Sequence, residues 1–285
     1  MQFVNFLSFA TLNFMNVQNM LQQSIRKLEK ASIGTARLDV LILLEDATGK
    51  DRAWLLAHPE FELNDKQVKV IKNVLKRRAA HEPLAYIRGH TEFYGREFLL
   101  NQDVLEPRPE SETMIDLLKK IMQPDRKQYI ADVGTGSGAL GITAQLELPD
   151  GLVELLDIDQ KALKVAKMNV DKFTLNISVK QSDLLAKASP KQDILLCNLP
   201  YVPDGFQINP AAMREPRIAI FGGPDGLDVY RKLFNQVEEL ADEPLYILTE
   251  ALPVQHELLR DIAESHDYTL LTSEDFIQVF QLKTS

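Results

Sequence analysis

Tyr129-Ile130-Ala131-Asp132-Val133-Gly134-Thr135-Gly136-Ser137-Gly138-Ala139-Leu140-Gly141-Ile142 is the stretch that decides the fold. An apolar, strand-like run ends at Asp132-Val133, three glycines follow at alternate positions, and a helix opens at Ala139. Glycines at a strand-to-helix turn let the backbone approach a ligand closely, and the free amides at the helix start face it. A tight glycine turn that binds nothing is the plainer reading, and the strand before it and the helix after it weigh against that.

Outward from this turn, strand-like and helix-like runs alternate: YIADVG, GALGITAQLEL, LVELLDI, KALKVAKMNV, DILLCN and later PLYILTE. That alternation predicts an α/β chain with parallel strands and crossover helices, the Rossmann-like arrangement. YTLLTS and FIQVFQLK, near the end, are joined by a short polar connection and should be antiparallel neighbours at one sheet edge. Upstream, from about Val17 to Ala80, the pattern is helical. Leu38, Leu41, Ile42 and Glu45 lead into Trp54, and Val68, Ile71, Val74 and Leu75 recur at three and four. Asn64 or Asp65 suits the N-cap of the last helix, which Pro83 should end shortly after Ala80. Tyr94-Gly95 divides TEFYGREFLL into a hairpin, and Pro107-Arg108-Pro109 forms a rigid connection after it.

A chain of 285 residues with 45% hydrophobic and 26% charged residues has the balance of a soluble globular protein of two modest domains. Its net charge of -9 argues against a protein built to wrap nucleic acid, which needs a surplus of Lys and Arg. Cys197 is the only cysteine, so no intrachain disulfide forms, which suits a reducing cytoplasm; the five histidines lack metal-ligand spacing, and no metal is expected. The first twenty-five residues are apolar and uncharged, but Asn and Gln interrupt them and the first basic residue is Arg26. They read as something other than a secretory signal, with Met15 and Met20 as alternative starts, and no apolar run approaches membrane-spanning length. Lys66, Lys69, Lys72 and Lys76 share a helix face, followed by Arg77 and Arg78; the stripe reads first as a solvated side, with a docking surface for an acidic partner as the alternative.

The glycine turn also contains a dinucleotide spacing, Gly136, Gly138 and Gly141 in GxGxxG, so a nucleotide-binding module without methyl transfer is one reading. Two details favour S-adenosyl-L-methionine: Asp132, just before the glycines, is placed to meet an amino-acid ammonium, and Gly134 adds a glycine at alternate spacing. Gly134, Thr135, Gly136, Ser137 and Gly138 are then the cofactor cradle. Asp157 ends the next strand, where a carboxylate can accept both ribose hydroxyls, while Asp159 looks like the cap of the following helix. Asp183, with Leu184, ends a third strand and reads equally as an adenine contact or as another cap.

After Asp193-Ile194-Leu195-Leu196-Cys197 comes Asn198-Leu199-Pro200-Tyr201, expected at the carboxyl edge of the sheet beside the glycine turn. An amide or aromatic amine nitrogen is a poor nucleophile because its lone pair is delocalised. The Asn198 side-chain carbonyl and the Leu199 backbone carbonyl can each accept one N–H of such a group, with Pro200 stiffening the turn and Tyr201 offering a flat face. Asn198 therefore serves both cofactor and substrate. Alone, this tetrapeptide is often just a turn, but here a glycine turn and two strand-end acids precede it in the required order.

The chain resembles the release factor glutamine methyltransferases, the HemK-type family, from about Leu38 to near the C-terminus. Four stretches carry the resemblance: Pro83-Leu84-Ala85-Tyr86-Ile87 with Phe93-Tyr94-Gly95; Pro107-Arg108-Pro109-Glu110-Ser111-Glu112; the glycine turn; and Glu215-Pro216-Arg217 with Gly222-Gly223-Pro224-Asp225-Gly226-Leu227-Asp228. It implies a helical N-terminal substrate-recognition domain at 1–86, a hairpin linker at 87–108 and a seven-stranded class I methyltransferase domain at 109–285. It implies N5-methylation of the glutamine in the GGQ loop of bacterial class I peptide chain release factors, with no membrane partner. Two departures stand out: Leu199 replaces the first proline of the family's usual NPPY, and Glu106 precedes Pro107 where an apolar residue is usual. Asn-Leu-Pro-Tyr also resembles the motif of ribosomal RNA adenine dimethyltransferases, which leaves N6-adenine methylation as the alternative.

Overall fold

The computed structural model describes residues 15–123 and 127–283. The leader reading at residues 1–14 lies outside the described residues. The chain divides into two compact units, one running to Ile87 and the other beginning at Arg88.

The first unit is helical, with α1 (Val17–Lys30), α2 (Ala36–Thr48), α3 (Arg52–Ala57), α4 (Asp65–Ala79) and the start of α5 (Leu84–Arg88). Asn16 caps α1, and Val17 and Met20 already belong to its buried face. Asn64 caps α4 in a reciprocal capping box with Gln67, and Ala80 closes it. The buried stripe of α2 runs through Val40, Leu41, Leu43 and Leu44, not through Leu38, which is exposed. Arg78 departs from the expected solvated stripe: it is buried and its Nε donates to Asp39 Oδ2 at 2.6 Å, while Lys66, Lys69, Lys72 and Lys76 stay exposed.

The second unit opens with a hairpin, β1 (His90–Phe93) and β2 (Arg96–Leu99), turned by Tyr94 and Gly95, both at positive φ as a two-residue turn requires. After α6 (Glu112–Ile121) come β3 (Tyr129–Val133), α7 (Ala139–Glu147), β4 (Leu152–Asp157), α8 (Gln160–Lys172), β5 (Ser178–Gln181) and β6 (Ile194–Cys197). Then follow α9 (Asp228–Glu238), β7 (Tyr246–Glu250), α10 (His256–Glu264), β8 (Tyr268–Glu274) and β9 (Ile277–Leu282). The sheet order is β5-β4-β3-β6-β7-β9-β8, seven strands among the described residues. β3 to β7 pair in parallel, whereas β9 pairs antiparallel with both β7 and β8, leaving β8 at the edge as the sequence predicts.

The central strands β3, β4, β6 and β7 bury side chains on both faces, alternate residues pointing to opposite sides, whereas the edge strands β5 and β8 are largely exposed. On β6, Ile194 and Leu196 join the core under α6, α7 and α8, while Leu195 and Cys197 join the core under α9 and α10. The hairpin, expected as a linker, is part of this unit's core: Phe93 and Phe98 are buried with the strands and helices of the first face. Asn169 of α8 holds it there. Fully buried, it accepts from the Leu99 amide (2.7 Å) and donates through Nδ2 to the carbonyls of Leu99 (3.0 Å) and Ser137 (2.8 Å), joining the hairpin to the glycine turn. Replacing Asn169 with Ala strands these backbone groups, and denaturant unfolding should register a loss of about 2 kcal/mol; an unchanged midpoint would remove this anchoring role.

Candidate active site

Strand register brings the site together. β3 and β6 are parallel neighbours with Val133 opposite Cys197, so the glycine turn and Asn198 leave the sheet side by side at its carboxyl edge. Gly134 has φ +73°, and a β-carbon there would stand 2.9 Å from Leu199 Cδ2, so the two turns are in side-chain contact distance only because this residue is glycine. The amides of Gly134 and Thr135 donate to the Leu156 carbonyl, and the Gly136 amide donates to Asp157 Oδ2 at 2.8 Å. Asp157 therefore braces the turn as well as lining the cavity in front of it.

That cavity, about 310 Å³, is lined by Gly134, Gly136, Asp157, Asp183, Leu184 and Asn198 among others. A smaller one of about 50 Å³ adjoins it, walled by Asp132, Thr135, Ser137, Phe93 and again Asn198. A third, about 220 Å³, is lined by Asn198, Tyr201, Arg108, Phe206 and Glu250. Asn198 is common to all three. Gly138 lines none of them: its αL backbone packs against Ile142, Leu155 and the α8 backbone at Ala166. Gly141, last in the dinucleotide spacing, serves the approach of α7 to the sheet, since a β-carbon would fall 2.3 Å from Leu155 Cδ2.

The acids differ in their surroundings. Asp132 is buried, its Oδ2 accepting from Thr135 Oγ1 (2.5 Å) and the Gly141 amide (2.8 Å), and burial lifts its carboxyl to about 6. Asp157 is also pushed up by burial, against the backbone amides of Asp159 and Gly136 that favour its ionised form. Asp159 caps α8 by accepting from the Lys161 amide, as its sequence position suggests. Asp183 is no side-chain cap; Lys232 of α9 donates to its Oδ2 at 2.5 Å, and Leu184 beside it has φ +52°. With Asp157 and Asp183 lining the larger cavity, Asp132 the smaller one, and the amides of Gly134, Thr135 and Gly136 already hydrogen-bonded within the chain, the residues fit a ligand that carries positive charge and hydroxyls, such as S-adenosylmethionine, better than a pyrophosphate.

The Asn-Leu-Pro-Tyr turn is held from behind by the GGPDGLD stretch. Val202 and Ile220–Gly222 exchange backbone hydrogen bonds, and a β-carbon on Gly222 would fall 2.3 Å from the Pro200 carbonyl oxygen. On Gly226 it would fall 2.0 Å from the Tyr201 oxygen, and Gln255 Nε2 donates to both Tyr201 (2.8 Å) and Asp225 (2.7 Å) carbonyls. Arg108 of the Pro-Arg-Pro run donates to the buried Glu215 of Glu-Pro-Arg at 2.6 Å, so two segments 107 residues apart close on one another. Glu106 sits 3.7 Å from the same guanidinium, which gives its charge a partner where an apolar residue was expected.

Three residues around Asn198 were not singled out by the sequence. Asn198 Nδ2 donates to Ser111 Oγ at 2.9 Å, and Ser111 Oγ donates to Glu250 Oε2 at 2.5 Å. Glu250 Oε1 accepts from the Tyr201 hydroxyl at 3.1 Å. The buried Tyr230 hydroxyl lies 2.6 Å from the Glu250 carbonyl and 2.8 Å from that of Cys197, tying the ends of β6 and β7. Burial pushes the Glu250 carboxyl up, while its Ser111 and Tyr201 hydrogen bonds favour ionisation. Strand parity is the signal that could have found Glu250. Cys197 pairs with Thr249, so the next residues, Asn198 and Glu250, are neighbours on one face.

A sheet of this order, with a glycine turn, strand-end acids and an amide-bearing turn along its carboxyl edge, defines a methyltransferase of the seven-stranded class. The PrmC N-terminal domain family matches residues 19–89 and the methyltransferase small domain family matches residues 111–215. A release factor glutamine methyltransferase of Koribacter versatilis is 34% identical over 258 residues, covering 87% of this chain and 91% of that protein. Another from Coxiella burnetii is 34% identical over 240 residues, covering 84% and 87%. A methyltransferase structure from Pyrococcus furiosus superposes with a TM-score of 0.50 at 15% identity, over 78% of this chain and all of that one, and speaks to the fold alone. The chain belongs to the release factor glutamine methyltransferase family.

With burial lifting the Asp132 carboxyl to about 6, a cofactor whose ammonium it meets, as expected from the sequence, should bind fully near neutral pH and lose affinity as pH drops through that value. Calorimetric titration with S-adenosylmethionine should show binding about tenfold weaker at about pH 5 than at about pH 7. The Asp132→Asn variant should lose that step, and persistence of the step in the variant would rule out Asp132 as its source.

Proposed function

We propose that this enzyme transfers the methyl group of S-adenosyl-L-methionine to the N5 nitrogen of the glutamine in the GGQ loop of bacterial class I peptide chain release factors, in the cytoplasm. When bound, the cofactor supplies an electrophilic methyl on a sulfonium. Everything else falls to the chain's own residues. Asp157 would meet the ribose, Asp183 and Leu184 would flank the adenine, and the turn from Gly134 to Ser137 with Asp132 would hold the amino-acid end, Gly138 serving the packing of the turn instead.

One observation carries the reading of the second site. The nitrogen of the Asn198 side chain is spent on Ser111, and no described residue donates to its Oδ1 or to the Leu199 carbonyl. Two acceptors are thus available, Asn198 lining both the cofactor cavity and the third cavity and Leu199 lining the cofactor cavity, which supports their holding a planar NH2 group. Holding that group still is the main catalytic contribution. Alignment is worth on the order of 7 to 11 kcal/mol, and acceptors aimed at the nitrogen also stabilise the positive charge it gains on methylation. Leu199 in place of proline costs nothing in acceptor chemistry, because the backbone carbonyl acts there; it gives up some rigidity in φ. Its side chain, buried against Gly134, supplies packing that holds the turn.

The test is transfer of labelled methyl to purified release factors, with RNA and DNA as parallel substrates. Release factor alone should be labelled, on the GGQ glutamine; labelling of RNA or DNA in its place would move the target to an adenine amine. The Asn198→Ala variant should lose at least about a hundredfold in turnover while binding cofactor nearly as well. Near-normal turnover would overturn the acceptor assignment.

A further inference from the structure

An asparagine side chain fits one space in two ways, related by a half-turn that exchanges its oxygen and nitrogen. Only one serves an amide substrate: with Oδ1 toward the third cavity Asn198 accepts, and with Nδ2 there it sets NH2 against NH2. What selects between them is the residue on its other side. Ser111 has one hydroxyl proton, and whatever it does with that proton fixes what it offers Asn198.

Glu250 decides the matter. An ionised carboxylate is an acceptor only, so Ser111 must direct its proton to Glu250 Oε2, 2.5 Å away. That leaves Ser111 facing Asn198 with lone pairs, and Asn198 answers with Nδ2 at 2.9 Å. The other carboxylate oxygen is taken by the Tyr201 hydroxyl at 3.1 Å, so Glu250 is anchored on both sides. Buried at the end of β7, 1% exposed, this group would be easier to bury as the neutral amide of the same shape. A carboxylate at this place therefore points to a need for its charge or for its purely accepting character.

We propose that Glu250 is a positioning residue that sets the hydrogen-bond polarity of Ser111 and thereby holds the accepting face of Asn198 toward the substrate amide. This rests on the reading of Asn198 as the acceptor. The geometry follows from strand parity and from the start of α6. Asn198 and Glu250 follow the paired residues Cys197 and Thr249 on adjacent strands, and Ser111, at the head of α6, stands between them.

Glu250→Gln tests it. The new amide keeps the shape and the bond to Tyr201, but it can donate to Ser111, which then donates to Asn198 and turns it. Turnover on intact release factor with labelled S-adenosylmethionine should fall about a hundredfold, with cofactor affinity by calorimetry within about twofold of wild type. Ser111→Ala, which removes the bias without reversing it, should cost about tenfold. The double variant S111A/E250Q should match S111A, and so be more active than E250Q alone, because the reversed polarity has no route to Asn198.

A structural role for Glu250 would make the double variant at least as impaired as E250Q, and that result overturns the proposal. So does turnover by E250Q within about threefold of wild type. Should E250Q lose its circular dichroism signal or cofactor binding, S111A carries the test alone: reduced turnover at unchanged cofactor affinity supports the relay, and unchanged turnover overturns it. Failure of the wild-type protein to methylate release factor would overturn the underlying reading as well, which separates the two cases.

Discussion

The site depends on one register. With Val133 beside Cys197 in a parallel pair, the two turns that must cooperate emerge at the same level of the sheet and touch through Gly134 and Leu199. A slip of β6 by one residue against β3 would send Asn198 to the opposite face, away from Ser111 and the glycine turn. The apolar strands fix this register because β6 is buried on both sides, and its alternate residues serve two different cores. Packing of the interior and placement of the chemistry are the same constraint.

From that constraint the chemistry follows by division of labour. Gly134, Gly136, Asp132 and Asp157 face the two cavities on the β3–β4 side, joined by Leu199 and Pro200, while Tyr201 and Glu250 face the third cavity on the β6–β7 side. Asn198 stands where they meet. An amide nitrogen has little nucleophilicity of its own, so the protein's means are position and electrostatics rather than a strong base. The carboxylates of Asp132, Asp157 and Glu250 are consistent with this: each is committed to backbone amides or hydroxyls that fix it in place.

Much of this was legible in the sequence, and what was not shares a cause. The glycine turn, the helix caps at Asn64 and Asp159, the Tyr94-Gly95 hairpin and the antiparallel edge are local signals, decided within a few residues. Ser111 and Glu250 lie 139 residues apart and meet only after the sheet forms, so neither carries a local mark of its role. Asn169 looks like any polar residue on a helix, and its three bonds to the hairpin and glycine turn exist only in the packed state. Asp183 was ambiguous between cap and ligand contact because Lys232, its ion-pair partner, is 49 residues away. The GGPDGLD stretch was recognisable by resemblance, but its physical reason, glycines pressed against the Pro200 and Tyr201 carbonyls, required coordinates. Arg78 and Leu38 were misplaced for the opposite reason: periodicity alone does not say which of two adjacent stripes faces inward.

We propose that two oxygens grip a planar amide beside the cofactor. A crystal structure with S-adenosylhomocysteine and a glutamine-bearing release factor peptide tests it most directly. The glutamine side-chain nitrogen should lie within about 2.7 to 3.2 Å of both Asn198 Oδ1 and the Leu199 carbonyl oxygen. A glutamine seated elsewhere, or an Asn198 whose nitrogen faces the peptide, would contradict it.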